Sequence, residues 1–141
     1  MARPDLKVEL LSNVPLFAAC NRNELKRIAS LADEIEVPAG KVLCKEGAPG
    51  REFFVIAEGQ ATATLRRKKV ATFGPGNFFG EMAILDHQPR SATITTESPT
   101  RLFVVDIRAF GQLLEDAPNV AKKIMRGIAQ RLREVEKAPT H

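Results

Sequence analysis

The chain has 141 residues, 44% of them hydrophobic and 27% charged, with a net charge of +4. That balance fits one folded domain with a core of its own and excludes a disordered chain. The longest apolar runs, Phe53 to Ala57 and Leu102 to Val105, are far too short to span a bilayer. No apolar segment follows the charged start Met1-Ala2-Arg3-Pro4-Asp5, and the two cysteines, Cys20 and Cys44, make no disulfide framework. A cytoplasmic protein without signal peptide or membrane segment is the expectation. Residues 1 to 118 carry 15 basic and 15 acidic residues, whereas residues 119 to 141 carry six basic and two acidic ones. The surplus therefore lies at the C-terminal end, where a solvated helix face is the plain reading and an acidic partner or nucleic acid the sharper one.

A first short helix is predicted from Asp5 to Ser12, ended by Asn13-Val14-Pro15. Asn21 caps a second helix, with Glu24 at capping-box spacing, and Leu25, Ile28, Ala29 and Ala32 share its apolar face. Pro38-Ala39-Gly40 then changes the period. Strands are predicted at Ile35 to Val37, Lys41 to Lys45, Phe53 to Ala57, Gln60 to Arg66, Val70 to Phe73, Ala92 to Thr96 and Leu102 to Asp106. Glu58-Gly59 and Gly74-Pro75-Gly76 mark turns. Arg66-Arg67-Lys68-Lys69 reads as a solvated hairpin tip. Many short strands with regular turn signals predict a sandwich or barrel. Two helices close the chain. Ile107 to Glu115 is capped by Asp106 and buries Phe110, Leu113 and Leu114. The last helix starts at Pro118 and carries the stripe Val120, Ile124, Ile128, Leu132, Val135.

The most informative stretch is residues 79 to 93, Phe-Gly-Glu-Met-Ala-Ile-Leu-Asp-His-Gln-Pro-Arg-Ser-Ala-Thr. Gly80 precedes a short helical turn, where unpartnered N–H groups favour an anion and a glycine lets the backbone approach closely. Arg90 brings a planar fork of donors to the same anion. Ionised Glu81 suits a sugar hydroxyl. The set fits a small ligand with both a phosphate and a sugar.

Phe79-Gly80-Glu81-Met82-Ala83 followed by Pro89-Arg90-Ser91-Ala92-Thr93 resembles the phosphate-binding cassette of the cyclic-nucleotide-binding domain family, and the resemblance runs over roughly residues 12 to 136. Gly40, Gly47, Gly59 and Gly76 fall where that family turns its barrel strands. The resemblance implies a mainly β fold with flanking α-helices: an eight-stranded β jelly-roll barrel with N-terminal helices and two C-terminal helices. It divides a single domain, 1–141, into N-terminal helices (1–32), a barrel (33–106) holding the cassette (79–93), and C-terminal helices (107–137). It also implies a cyclic-nucleotide site made of Gly80, Glu81, Met82, Ala83, Arg90, Ser91 and Ala92. Arg90 would take the phosphate and Glu81 the ribose 2′-hydroxyl. Gly80, Met82, Ala83 and Ala92 would serve through backbone atoms. Ser91 leans toward cyclic AMP, because family members preferring cyclic GMP often have threonine there; cyclic GMP stays open.

Neither His87 nor His141 clusters with other ligands at metal spacing, and no nucleophile–base set is apparent, so a binder without metal or cofactor is expected rather than an enzyme. The expected function is a ligand-sensing regulatory module whose C-terminal helices relay the signal, with Leu132 and Val135 as candidates to cover the base. The alternative is a docking or oligomerisation module with an unused pocket, using the C-terminal helix to hold an effector protein or a second copy. No DNA-reading helix-turn-helix is expected within these 141 residues.

Overall fold

In the computed structural model of the chain, residues 4–80 and 89–137 are described. Helix α1 (Pro4–Ser12), a 3₁₀ turn (Pro15–Phe17) and helix α2 (Arg22–Ala29) come first. Eight strands follow among the described residues: β1 (Ala32–Val37), β2 (Val42–Cys44), β3 (Glu52–Glu58), β4 (Ala61–Leu65), β5 (Lys68–Phe73), β6 (Phe78–Phe79), β7 (Thr93–Thr96) and β8 (Thr100–Asp106). Helices α3 (Ile107–Asp116) and α4 (Pro118–Lys137) complete the chain.

The strands form two four-stranded antiparallel sheets, ordered β1-β8-β3-β6 and β2-β7-β4-β5. That crossing order between two facing sheets is the jelly roll. The four turn glycines at 40, 47, 59 and 76 all adopt positive φ.

The chain's apolar runs have a specific cause. Side chains alternate across a strand, and β3 is covered on both faces. Phe53 and Val55 face the helices, while Phe54 and Ile56 face the barrel interior. Strand β8 does the same, with Phe103 and Val105 outward and Leu102 and Val104 inward. A strand buried on both sides reads as a continuous hydrophobic run rather than an alternating one. Phe53 meets Phe17 of the 3₁₀ turn at a centroid distance of 5.8 Å and Phe110 of α3 at 6.3 Å.

Local rules set the helix ends. Asn21 Oδ1 accepts from the Glu24 N–H (2.9 Å), and Glu24 Oε1 accepts from the Asn21 N–H (2.7 Å). Asp106 caps α3 by accepting from the Ala109 N–H at 3.1 Å. One expectation fails: α2 stops at Ala29, and Ala32 opens β1 instead of extending the helix. Pairing of Ala32 with Val105 across the sheet outweighs the helical spacing of the apolar residues. Strand β6, only two residues long, went unread because so short a segment shows no alternation. The hairpin tip is as expected, with Arg66 and Arg67 both at positive φ and exposed.

Helix α4 lies on the 3₁₀ turn rather than free in solvent, burying Val120 and Ile124 and half-burying Ile128. The side chains of Leu132 and Val135 lie outside the described residues. The approach is possible because residue 127 is glycine. A Cβ there would stand 2.5 Å from the carbonyl oxygen of Leu16 and 2.9 Å from that of Pro15. Lys123 leaves the basic surface and donates to Glu24 Oε1 at 2.7 Å. The Lys123 hydrogen bond, with the Asn21 N–H adding to it, holds the Glu24 carboxyl below its ordinary value.

Two outcomes are expected. Gly127→Ala should cost about 1–3 kcal/mol in urea unfolding, because backbone carbonyls must give way. Gly111→Ala, in α3 with open space around it, should gain up to about 1 kcal/mol from helix propensity; equal effects at both sites would contradict this packing. The second concerns pH. A carboxyl whose folded value is lowered contributes fully above its unfolded value, about 4.3. That contribution is lost as pH falls through the folded value. Stability should therefore fall less steeply in acid for Lys123→Met than for the unaltered chain, and parallel curves would show that the pair contributes nothing.

Candidate functional site

The site is built around the start of β3. The turn at Gly74–Asn77 is closed by the Gly74 N–H donating to Asn77 Oδ1 at 2.7 Å, and by the Gly76 N–H donating to the Ile56 carbonyl at 2.8 Å. It lays β6 along β3, pairing Phe79 with Phe54. The two rings stack at 5.0 Å inside the barrel. Gly80 therefore emerges beside Glu52, at φ +86°.

Arg90 arrives from the other direction. Its backbone is held on both sides by the loop after β2: the Arg90 N–H donates to the Ala48 carbonyl, and the Gly47 N–H donates to the Arg90 carbonyl, each at 2.8 Å. The Glu46 N–H donates to Thr93 Oγ1 at 3.0 Å, extending the pairing. The half-buried guanidinium then reaches across to Gly80. Its Nη1 donates to the Gly80 carbonyl at 3.4 Å, and its Nη2 donates to the Glu52 carbonyl. No carboxylate pairs with it among the described residues.

Gly80 is needed here for space as well as for conformation. A Cβ at this position would stand 2.6 Å from Arg90 Nη1 and 3.0 Å from the Glu52 carbonyl oxygen. Cys44 lies nearby, buried at the end of β2. Burial pushes its thiol above the ordinary range, and the Arg90 charge acts in the opposite sense. The thiol is therefore neutral at physiological pH and serves as a small apolar filler.

Of the sequence-predicted site residues, Gly80 and Arg90 are brought together. Ser91 is exposed and Ala92 half-buried, on the two residues leading into β7, with Ala92 packed against the barrel-interior cluster. Glu81, Met82 and Ala83 lie outside the described residues, as does His87. Sequence reasoning missed Glu52, which acts through its carbonyl oxygen. Any residue type supplies that atom, so no sequence signal marks it. Among the described residues no group of three His, Cys, Asp or Glu could hold a metal ion, and no helix is long and apolar enough to cross a membrane.

An arginine and a glycine held face to face at the end of a jelly-roll strand invite comparison with known proteins. The profile described as the cyclic nucleotide-binding domain matches residues 34–117. The chain belongs to that family. This cyclic nucleotide-binding domain is 31% identical over 115 residues to a cAMP-dependent protein kinase regulatory subunit of Emericella nidulans, covering 80% of this chain and 28% of the relative. It is 34% identical over 123 residues to a cyclic nucleotide-gated potassium channel of Rhizobium etli, covering 87% of this chain and 34% of the channel. The domain thus spans about a third or less of the length of these curated relatives. Among solved structures, the N-terminal domain of a transcriptional regulator from Streptomyces coelicolor A3(2) superposes with a TM-score of 0.83 at 29% identity, covering 93% of this chain and 94% of that one.

Gly80→Ala is expected to displace the Arg90 guanidinium from the Glu52 carbonyl while the domain still folds. The left-handed backbone adds a strain of about 1 kcal/mol. The check is the side-chain Nε resonance of Arg90 by NMR, with thermal unfolding alongside. An unmoved resonance would mean the crowding is relieved without moving the arginine.

Proposed function

We propose that this domain is a ligand-sensing regulatory module that binds a cyclic nucleotide, cyclic AMP in preference to cyclic GMP, and acts by binding rather than catalysis. The observation that carries the reading is the guanidinium of Arg90 poised over Gly80. A guanidinium has five N–H donors, and among the described residues the Glu52 and Gly80 carbonyls engage two of them. The remaining donors suit the exocyclic oxygens of a phosphate, with Gly80 keeping the space open. In this reading Glu81 accepts from the ribose 2′-hydroxyl. Met82, Ala83 and Ala92 serve through their backbones, and Ser91 bonds the phosphate. Serine after the arginine and a cAMP-dependent regulatory subunit among the relatives support cyclic AMP.

The relay follows the packing. The carbonyl that holds Arg90 belongs to Glu52, between Arg51 and Phe53. The Arg51 carbonyl accepts from the Ile107 N–H at the start of α3 at 2.9 Å. Phe53 packs on Phe110 of α3 and on Phe17 beneath α4. Phosphate capture by Arg90 loosens its hold on Glu52, and α3 and α4 feel the change. The ligand moves this equilibrium only by as much as it prefers one arrangement over the other.

Calorimetry tests the proposal directly, since the chain has no Trp or Tyr to report by fluorescence. Binding of cyclic AMP tighter than cyclic GMP is expected. Arg90→Ala should remove two charge-assisted bonds, each worth about 1.5–3 kcal/mol, a loss of about a hundredfold or more in affinity. Glu81→Ala should weaken binding less. A folded protein giving no heat with either nucleotide would overturn the sensor reading and favour a docking module with an unused pocket.

A further inference from the structure

Helix α4 has a second face that neither the barrel nor the nucleotide reading uses. Val120, Ile124 and Gly127 are buried against the domain. On the other side, Lys122, Met125, Arg126, Ala129, Gln130 and Arg133 are all exposed. Their spacing (i, i+3, i+4, i+7, i+8, i+11) makes one continuous stripe, about 16 Å long at 1.5 Å per residue. Met125, 66% exposed, lies in the middle of it with Ala129, and cations stand on either side.

Two features distinguish this stripe from an ordinary solvated face. There is no Asp or Glu between Asp116 and Glu134, so the segment forgoes the mixed-sign i,i+4 pairs that usually support an exposed helix. Its first turn also lacks the acidic residue that the helix dipole favours. Among the described residues, Lys122, Arg126 and Arg133 pair with no carboxylate. Lys123, one residue round the helix, is the cation that turns to the domain's own Glu24.

We propose that this stripe is an interaction surface for an acidic amphipathic helix of another protein, which lays an apolar side chain on Met125 and Ala129 and carboxylates beside Lys122, Arg126 and Arg133. The charge complementarity selects the occupant. A second copy would bring two single-sign stripes face to face, which repel. A bilayer would need a broad apolar face to enter, and Val120, Ile124 and Ile128 are already spent against the domain. The inference does not depend on the nucleotide reading, and the nucleotide is left out of its test.

The test is an ¹H–¹⁵N titration of the whole chain with a synthetic helical peptide carrying leucines flanked by glutamates at i and i+4. Polyglutamate, vesicles of phosphatidylcholine with phosphatidylserine, and duplex DNA are run in parallel. The amphipathic peptide is expected to shift amides of residues 121–133. The hairpin tip, with four basic residues from Arg66 to Lys69, serves as an internal control and should stay still. Lys122→Glu with Arg126→Glu should weaken binding by about tenfold or more. Met125→Ser, which keeps every charge, should weaken it measurably, while polyglutamate should bind less well than the amphipathic peptide. All these positions are exposed, and far-UV circular dichroism confirms that the variants fold. Equal binding of polyglutamate, shifts of equal size at the hairpin tip, tighter binding to vesicles or DNA, self-association through the stripe, or no binding would each overturn the proposal.

Discussion

Strand β3 is buried on both faces, and the parts of the molecule that bear on function attach to it. Its inward side chain Phe54 stacks on Phe79 and thereby sets where Gly80 leaves the barrel. The outward side chain Phe53 locks the 3₁₀ turn and α3 into one aromatic cluster. Its first carbonyl, at Glu52, receives the Arg90 guanidinium, and the carbonyl just before it, at Arg51, receives the first N–H of α3. A strand so enclosed has little freedom to slide, because a one-residue slip would exchange Phe53 with Phe54 and void both clusters. Small displacements at its N-terminal end are therefore passed to neighbours rather than absorbed.

In the proposed reading, the energetics at Arg90 make that end responsive to an anion. In the structure the guanidinium donates to neutral main-chain carbonyls. An anion arriving at Gly80 adds a full charge–charge attraction that a neutral carbonyl lacks, so it competes well for the guanidinium. Among the described residues no carboxylate is clamped to Arg90; one would have raised the cost of that exchange. The space for it depends on Gly80, since any Cβ there would crowd the Arg90 nitrogen itself.

Much of this was legible in the sequence, and what was not has physical reasons. Asn21, Glu24 and Asp106 were readable because capping is a short-range rule, satisfied within three residues. Gly80 and Arg90 were readable because their spacing carries a family resemblance, and the barrel because turns punctuate its strands. The end of α2 was misread at Ala32, where a partner 73 residues away in sequence, Val105, decides the backbone conformation. The Glu24–Lys123 pair, 99 residues apart, was invisible for the same reason. Nor did anything mark Gly127 as a seat for α4, since a glycine inside a helical stripe reads as a weak point until the carbonyls of Pro15 and Leu16 are seen beneath it.

Helix α4 joins these threads because its two faces are rigidly related. One face rests on the 3₁₀ turn through Gly127 and on α2 through Lys123, and the other presents cations around Met125. A helix moves as a rod on this scale, so whatever shifts the seat also reorients the exposed stripe. If a ligand at Arg90 favours one seating, a partner on the stripe must favour the same or the opposite seating by a matching free energy, because coupling between two binding sites is reciprocal. Among the described residues the seat is made by one glycine against two carbonyls, one ion pair, and the aliphatic side chains of Val120, Ile124 and Ile128. Contacts of such discrete geometry can each be made or lost without unfolding the sheets behind them, which suits an element that exchanges between two positions.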